Sequence, residues 1–99
     1  MYRELAAASP DRHRPGLATS LDNLGARLWA LGRPAEALPV TEEAVTMYRE
    51  LAAASPDRYR PGLARSLNNL GIWFAELGRP ADATAAHDEA MKARAQPDR

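Results

Sequence analysis

The feature that most constrains this chain is a tandem repeat with a period of 46 residues. The segment from Met1 to Arg12 recurs without change from Met47 to Arg58. Further landmarks return at the same offset: Asn23-Leu24-Gly25 as Asn69-Leu70-Gly71, and Leu31-Gly32-Arg33-Pro34-Ala35 as Leu77 to Ala81. A unit this short cannot bury a core by itself, so the copies must pack against neighbours.

The first half of each copy predicts a helix, which we call helix A. It is expected to open at Pro15 or Pro61, because proline suits the first helical position. The leucines that follow recur at helical spacing and predict one buried stripe, made in the first copy by Leu17, Leu21, Leu24, Leu28 and Leu31. Gly32 and Gly78 are expected to end these helices, since glycine accepts the left-handed conformation of a C-terminal cap.

The second half of each copy predicts another helix, helix B, which begins at Pro34 or Pro80 after a short connection. In the first copy it should end at the turn signature Ser55-Pro56-Asp57, and in the second near Ala95. Its inward-facing residues are expected to be Ala35, Leu38, Ala44, Val45, Tyr48 and Leu51. Short connections force consecutive helices to pack antiparallel. The predicted fold is therefore all-α, with two tandem antiparallel helical hairpins in an α-solenoid arrangement.

The repeat also predicts how the chain is divided. Residues 2–8 match the last turns of a helix B, so residues 1–14 are interpreted as the tail of a preceding helix B and its loop. Residues 15–60 then form repeat one and residues 61–99 repeat two, within a single domain of residues 1–99. A start in mid-repeat suggests a piece of a longer array, such as the sensor arm of a multidomain bacterial signalling protein.

Composition excludes several classes of function. The 13 basic and 13 acidic side chains balance, which does not indicate a nucleic-acid partner. No cysteine is present, so disulfides and thiolate metal sites are excluded. His13 and His87 lack further ligands at metal spacing, and no catalytic constellation is visible, so no metal, no cofactor and no enzyme activity are expected. Without a long apolar run we expect a cytoplasmic protein with no membrane partner.

These residues together resemble the tetratricopeptide repeat, and specifically its long, kinesin-light-chain-like variety as found in bacteria. The matching positions are Leu21, Leu24-Gly25, Leu28, Gly32, Ala37 and Ala44 in the first copy, and Leu67, Leu70-Gly71, Phe74, Gly78, Ala83 and Ala90 in the second. The resemblance implies a helical scaffold that binds a protein or peptide partner and has no catalytic role. It does not imply which partner, because such scaffolds serve many.

The resemblance also implies where a partner would bind, since A helices line the concave face in this family. The corresponding positions are Thr19, Asp22, Asn23, Ala26 and Trp29 in copy one, with Arg65, Asn68, Asn69, Ile72 and Glu76 in copy two. Asn23 and Asn69 match the position whose amide commonly bonds a bound peptide. The alternative is that each amide bonds a neighbouring helix or water.

Divergence between the copies is concentrated near the same surface. Between Met1–Gly25 and Met47–Gly71 only three positions differ, namely His13/Tyr59, Thr19/Arg65 and Asp22/Asn68. Two of these three lie on the expected partner surface. This pattern is consistent with binding specificity that is tuned in each copy. It is also consistent with one copy packing against a neighbouring repeat while the other copy is terminal.

The small number of repeats suggests self-association as an alternative function. About three stacked repeats are usually needed for stability, and this chain has two. Ile72, Trp73 and Phe74 would form an unusually apolar patch, so Trp73 and Phe74 are the expected self-association residues. A homo-oligomer could form by end-to-end stacking or by exchange of a hairpin between copies.

Overall fold

A computed structural model describes residues 10–95 of the chain, with side chains from residue 13 onward, and contains four helices. They are α1 (Pro10–Ala30), α2 (Pro34–Ala54), α3 (Pro56–Glu76) and α4 (Pro80–Arg94). No strand occurs within residues 10–95. The prediction of an all-α fold built from two helical hairpins is confirmed. The predicted helical tail at residues 2–8 lies outside the described residues.

The two glycine turns are built as the sequence predicts. Gly32 and Gly78 have φ angles of +75° and +74°, a region that glycine enters without steric cost. After each glycine an arginine N–H bonds back into the helix, from Arg33 to the Leu28 carbonyl and from Arg79 to the Phe74 carbonyl, both at 2.9 Å. This bonding closes the ends of α1 and α3 and turns the chain sharply into α2 and α4.

The predicted start of helix A is wrong by five residues in each copy. The helices begin at Pro10 and Pro56, and Pro15 and Pro61 lie inside them. Pro56 takes the first helical position, directly after Ser55, which is the one residue between α2 and α3. The Ser55 carbonyl accepts the N–H groups of Arg58 and Tyr59 at 3.2 and 3.1 Å. An internal proline gives up its own helical hydrogen bond, and packing of the long helices against their neighbours outweighs that loss.

The core lies mainly at the junction between the two copies. Helix α1 packs on α2, α3 packs on α4, and α2 packs on α3. The main apolar cluster joins side chains of α2, α3 and α4 with Ala18 of α1, and includes Val45, Tyr48, Leu63, Leu67, Leu70, Phe74, Ala83, Ala86 and Ala90. A smaller cluster of Leu17, Leu21 and Ala44 joins α1 to α2. The repeats are therefore held together by the same kind of contact that forms each hairpin.

The predicted apolar stripe of α1 is only partly buried. Leu17 and Leu21 are buried, whereas Leu24 and Leu31 are exposed. Leu24 matches Leu70, which packs in the cluster that α2 and α3 share, and among the described residues no helix occupies the corresponding side of α1. In α2, Ala35 is also exposed, contrary to prediction, because it lies in the first turn, beyond the core.

Candidate functional site

A buried carboxylate joins the two A helices, α1 and α3. Asp22 of α1 accepts hydrogen bonds from Ser66 Oγ at 2.8 Å and from Arg65 Nε at 2.9 Å. The Asn69 amide lies 3.5 Å from the same carboxylate. Although Asp22 is buried, its charge is paired and its oxygens are bonded, as a buried carboxylate requires. This network sets the register between α1 and α3.

An aromatic pair joins the same helices near their C-terminal ends. The rings of Trp29 and Trp73 stack, with centroids 5.1 Å apart and planes 18° from parallel. Trp73 is buried, and its indole N–H donates to Thr41 Oγ1 in α2 at 2.8 Å. Trp29 covers it from outside and is itself exposed. One tryptophan therefore belongs to the core and the other to the surface.

The guanidinium of Arg65 is held in place from two directions. Besides Asp22, Arg65 Nη2 donates to the Tyr48 hydroxyl at 3.2 Å, and that hydroxyl also lies 3.1 Å from Thr19 Oγ1. The hydrogen bond to Asp22 raises the pKa of Arg65, against a smaller opposing effect of burial. The side chain is nevertheless half exposed, so it presents an ordered positive charge at the surface.

Most of the predicted partner-binding residues form one accessible surface along α1 and α3. We call it the A-helix face, and it consists of Thr19, Asn23, Ala26, Trp29, Arg65, Asn69, Ile72 and Glu76. Asn69 is half-buried and the other seven are exposed. The Asp22 network and the tryptophan stack bring the two helices side by side, so the residues of both copies are contiguous.

Two predicted partner-binding residues do not belong to this face. Asp22 is buried under Arg65 and Ser66, so a partner has no direct access to its carboxylate. Asn68 is half-buried, and its Oδ1 lies 3.3 Å from His87 Nδ1 in α4. The family resemblance implies a surface contact at the position of Asp22. It does not reveal that side chains of a neighbouring helix cover this carboxylate.

The predicted self-association residues Trp73 and Phe74 do not form an exposed apolar patch. Trp73 and Phe74 are buried within the chain, and only Ile72 of the three is exposed. Trp73 faces Trp29 and Thr41, while Phe74 packs in the main core and lies under the Arg79 guanidinium, 4.6 Å from its ring centroid. Both aromatic rings are thus used to join the repeats of one chain.

Two ion pairs outside the A-helix face were not predicted from the sequence. Arg49 of α2 donates to both carboxylate oxygens of Glu89 in α4, at 2.8 and 2.6 Å. The hydrogen bond raises the pKa of Arg49 and lowers that of Glu89, against a smaller effect of burial. A second missed pair, Arg14 with Glu50, joins α1 to α2. The charges were visible in the sequence, but their pairing depends on how the helices pack.

Residues 10–95 contain neither a metal-binding cluster nor a membrane-spanning helix. No group of three or more His, Asp or Glu side chains there is placed to hold a metal ion. None of the helices in this part of the chain combines the length and the apolar character that crossing a membrane requires.

Comparison with known proteins agrees with the geometry. A family model described as "Tetratricopeptide repeat" matches residues 17–57 and 63–96, one match for each copy. Searches of curated proteins and of solved structures gave no match to this chain. The family model covers more than half of the sequence and coincides with the two helical hairpins. The chain belongs to the tetratricopeptide repeat family, whose members are in general non-catalytic modules for protein–protein interaction.

Proposed function

We propose that this chain is a scaffold that binds a partner peptide or protein through the A-helix face. The observation that carries the proposal is the contiguity of that face, since Asp22 and the tryptophan stack hold α1 and α3 side by side. Apolar anchors and polar groups therefore lie on one surface. Binding sites commonly combine an apolar surface with a few placed polar groups.

The chemistry of the face favours a particular kind of ligand. Trp29 and Ile72 are exposed apolar side chains, of the kind that anchors a partner. Asn23 and Asn69 carry amides that can both donate and accept hydrogen bonds with a peptide backbone. Arg65 adds a positive charge already held by Asp22 and Tyr48, so little side-chain freedom is lost on binding. A peptide with a large apolar residue between polar neighbours suits this arrangement.

Peptide display followed by mapping of the contact surface tests the proposal. Peptides are selected from a random library on the wild-type chain, and the best is titrated into isotopically labelled protein while amide chemical shifts are recorded. The expected shifts cluster on the A-helix face. The double variant Trp29→Ala with Asn69→Ala should lose binding at least tenfold while retaining its helical circular dichroism.

A matched control is available on α2, outside the A-helix face. Thr46 is exposed on α2, and its hydroxyl bonds only within its own helix, to the Glu42 carbonyl. Thr46→Ala should bind the selected peptide as the wild type does. If the chemical shifts cluster around Thr46 instead, or if the double variant binds unchanged, the A-helix face is not the binding site.

A second candidate function is self-association, so that the protein is a homo-oligomeric assembly module. The observation that favours it is the exposure of three large apolar side chains away from the A-helix face, namely Leu24, Leu31 and Met91. Exposed apolar surface of this kind is a recurring mark of association sites. The two candidate functions are compatible, because they use different surfaces.

A further inference from the structure

We infer that copies of this chain join head to tail, with the α1 side of one copy packed on the α4 side of the next. The inference rests on the proposed self-association and specifies the surfaces that it uses. Its template is the junction inside each chain, where α3 of the second repeat packs on α2 of the first. Because α1 corresponds to α3 and α4 to α2, the outer sides of α1 and α4, the first and last of the described helices, carry the two halves of a similar junction.

The apolar parts of the two ends correspond to residues that are already in contact. Within the chain, Val45 of α2 and Leu70 of α3 belong to one buried cluster. Their counterparts at the ends are Met91 and Leu24, which are 61% and 45% exposed. A head-to-tail junction would place Leu24 of one copy against Met91 of the next. Both side chains would then leave water, which is the main driving force for association.

The polar residues of the two surfaces are also complementary in charge. Inside the chain, Asp22 of the first copy faces Arg65, Ser66 and Asn69 of the second. At a head-to-tail junction the corresponding residue is Asn68, and it would face Thr19, Ser20 and Asn23 of the neighbouring copy. A charged pair has been replaced by neutral groups on both sides at once, so no charge would be buried without a partner.

Two of the three differences between Met1–Gly25 and Met47–Gly71 therefore concern residues that oppose each other, either within the chain or across the proposed junction between copies. Arg65 occurs where the opposing residue is Asp22, and Thr19 occurs where it would be Asn68.

The surfaces at the two ends differ, so the association is heterologous and does not close on itself in a dimer. This property can be tested by measuring the mass of the protein in solution by sedimentation velocity and light scattering. The wild type should grow in mass with concentration beyond its 10.8 kDa monomer. Leu24→Asp and Met91→Asp should each remain monomeric. An equimolar mixture of the two variants should form a species of two chains and nothing larger, because only one intact junction is available and two aspartates block the outer ends.

The control is Ile72→Asp, which introduces the same charge at a residue of similar exposure, 44%, on the A-helix face. It should self-associate as the wild type does, while losing the selected peptide. Circular dichroism checks that each variant is folded. If either aspartate variant loses helix, Leu24→Gln and Met91→Gln replace the pair, with the same expected masses.

Three results would overturn the inference. A wild type that stays at 10.8 kDa at its highest soluble concentration shows that these ends do not bind a second copy; another repeat would then be the fitting occupant. Growth in mass that Leu24→Asp and Met91→Asp leave unchanged shows self-association by another route, such as hairpin exchange. A mixture that stays monomeric contradicts the head-to-tail geometry. Peptide binding to the A-helix face is measured independently, so its failure is separate from each of these.

Discussion

Leu24 and Leu70 occupy the same position in two nearly identical copies, yet they have opposite environments. Leu70 is 6% exposed and Leu24 is 45% exposed. The sequence around them is the same from Ala18 to Gly25 and from Ala64 to Gly71, apart from Thr19/Arg65 and Asp22/Asn68. The difference arises because α3 has α2 beside it, whereas the corresponding side of α1 has no helix among the described residues. In a repeat protein, burial is a property of the junction between repeats.

The largest expected effect comes from truncating these two leucines. Leu70→Ala should lower the free energy of unfolding by about 2–5 kcal/mol, because it leaves a cavity in the main cluster. Leu24→Ala should cost roughly 0.5 kcal/mol or less, as expected for a surface position. Urea unfolding of both variants, at a concentration where the chain is monomeric, measures the difference. Equal losses of unfolding free energy would contradict the difference in burial between Leu70 and Leu24.

The glycines that follow these leucines give a smaller contrast. A Cβ at Gly25 would collide with Thr41 Oγ1, which is buried and already accepts the Trp73 indole N–H. A Cβ at Gly71 would meet the His87 ring at 2.6 Å, but that ring is half-buried and can rotate. We expect Gly25→Ala to destabilise by about 1–3 kcal/mol through overpacking.

Gly71→Ala should cost clearly less, since the half-buried His87 ring can move away from the new methyl group, whereas Thr41 is buried and hydrogen-bonded. The higher helix propensity of alanine, worth about 1 kcal/mol, favours both variants equally. Thermal unfolding followed by circular dichroism compares the two variants directly. A larger loss of thermal stability for Gly71→Ala than for Gly25→Ala would show that His87 yields less readily than Thr41.

The smallest expected effect concerns the ion pair that links the B helices of the two copies. Its hydrogen bond lowers the pKa of Glu89. The stabilisation is therefore fully present above the ordinary glutamate pKa, and it is lost as the pH falls through the lowered pKa of the folded state. Both side chains are partly exposed, which limits the gain to less than about 1 kcal/mol. Glu89→Gln should therefore be less stable than the wild type at neutral pH, and the gap should close at an acidic pH below the lowered pKa of Glu89. A gap of equal size at both pH values would contradict the assignment.

Helix identity, the glycine turns and the pairing of helices could all be predicted from local chemistry. Periodic leucines and a glycine at the end of each helix A act within a few residues, so no knowledge of packing is needed. The start of helix A was predicted wrongly because two prolines compete for the first position. Pro56 holds that position, and Pro61 is tolerated inside because the surrounding helix is secured by its neighbours.

The residues of the candidate site divide in the same way. Thr19, Asn23, Trp29 and Ile72 could be placed on a surface through the resemblance to the tetratricopeptide repeat, in which the A helices line the concave face. The burial of Asp22 could not be predicted, since it depends on which side the adjacent repeat covers. One signal was available in the sequence, namely that Asp22 and Arg65 are both among the few residues that differ between the copies.

By itself the sequence determined the repeat, the hairpins and their glycine turns, because these follow from spacing and from backbone sterics within one unit. Only the tertiary structure decided which copy of a repeated residue is core and which is surface. Leu70 and Leu24, or Trp73 and its counterpart Arg27, differ in burial because a helix packs beside one and not the other. The physical reason is that removal from water requires a neighbour, and the neighbours of a repeat are set by stacking.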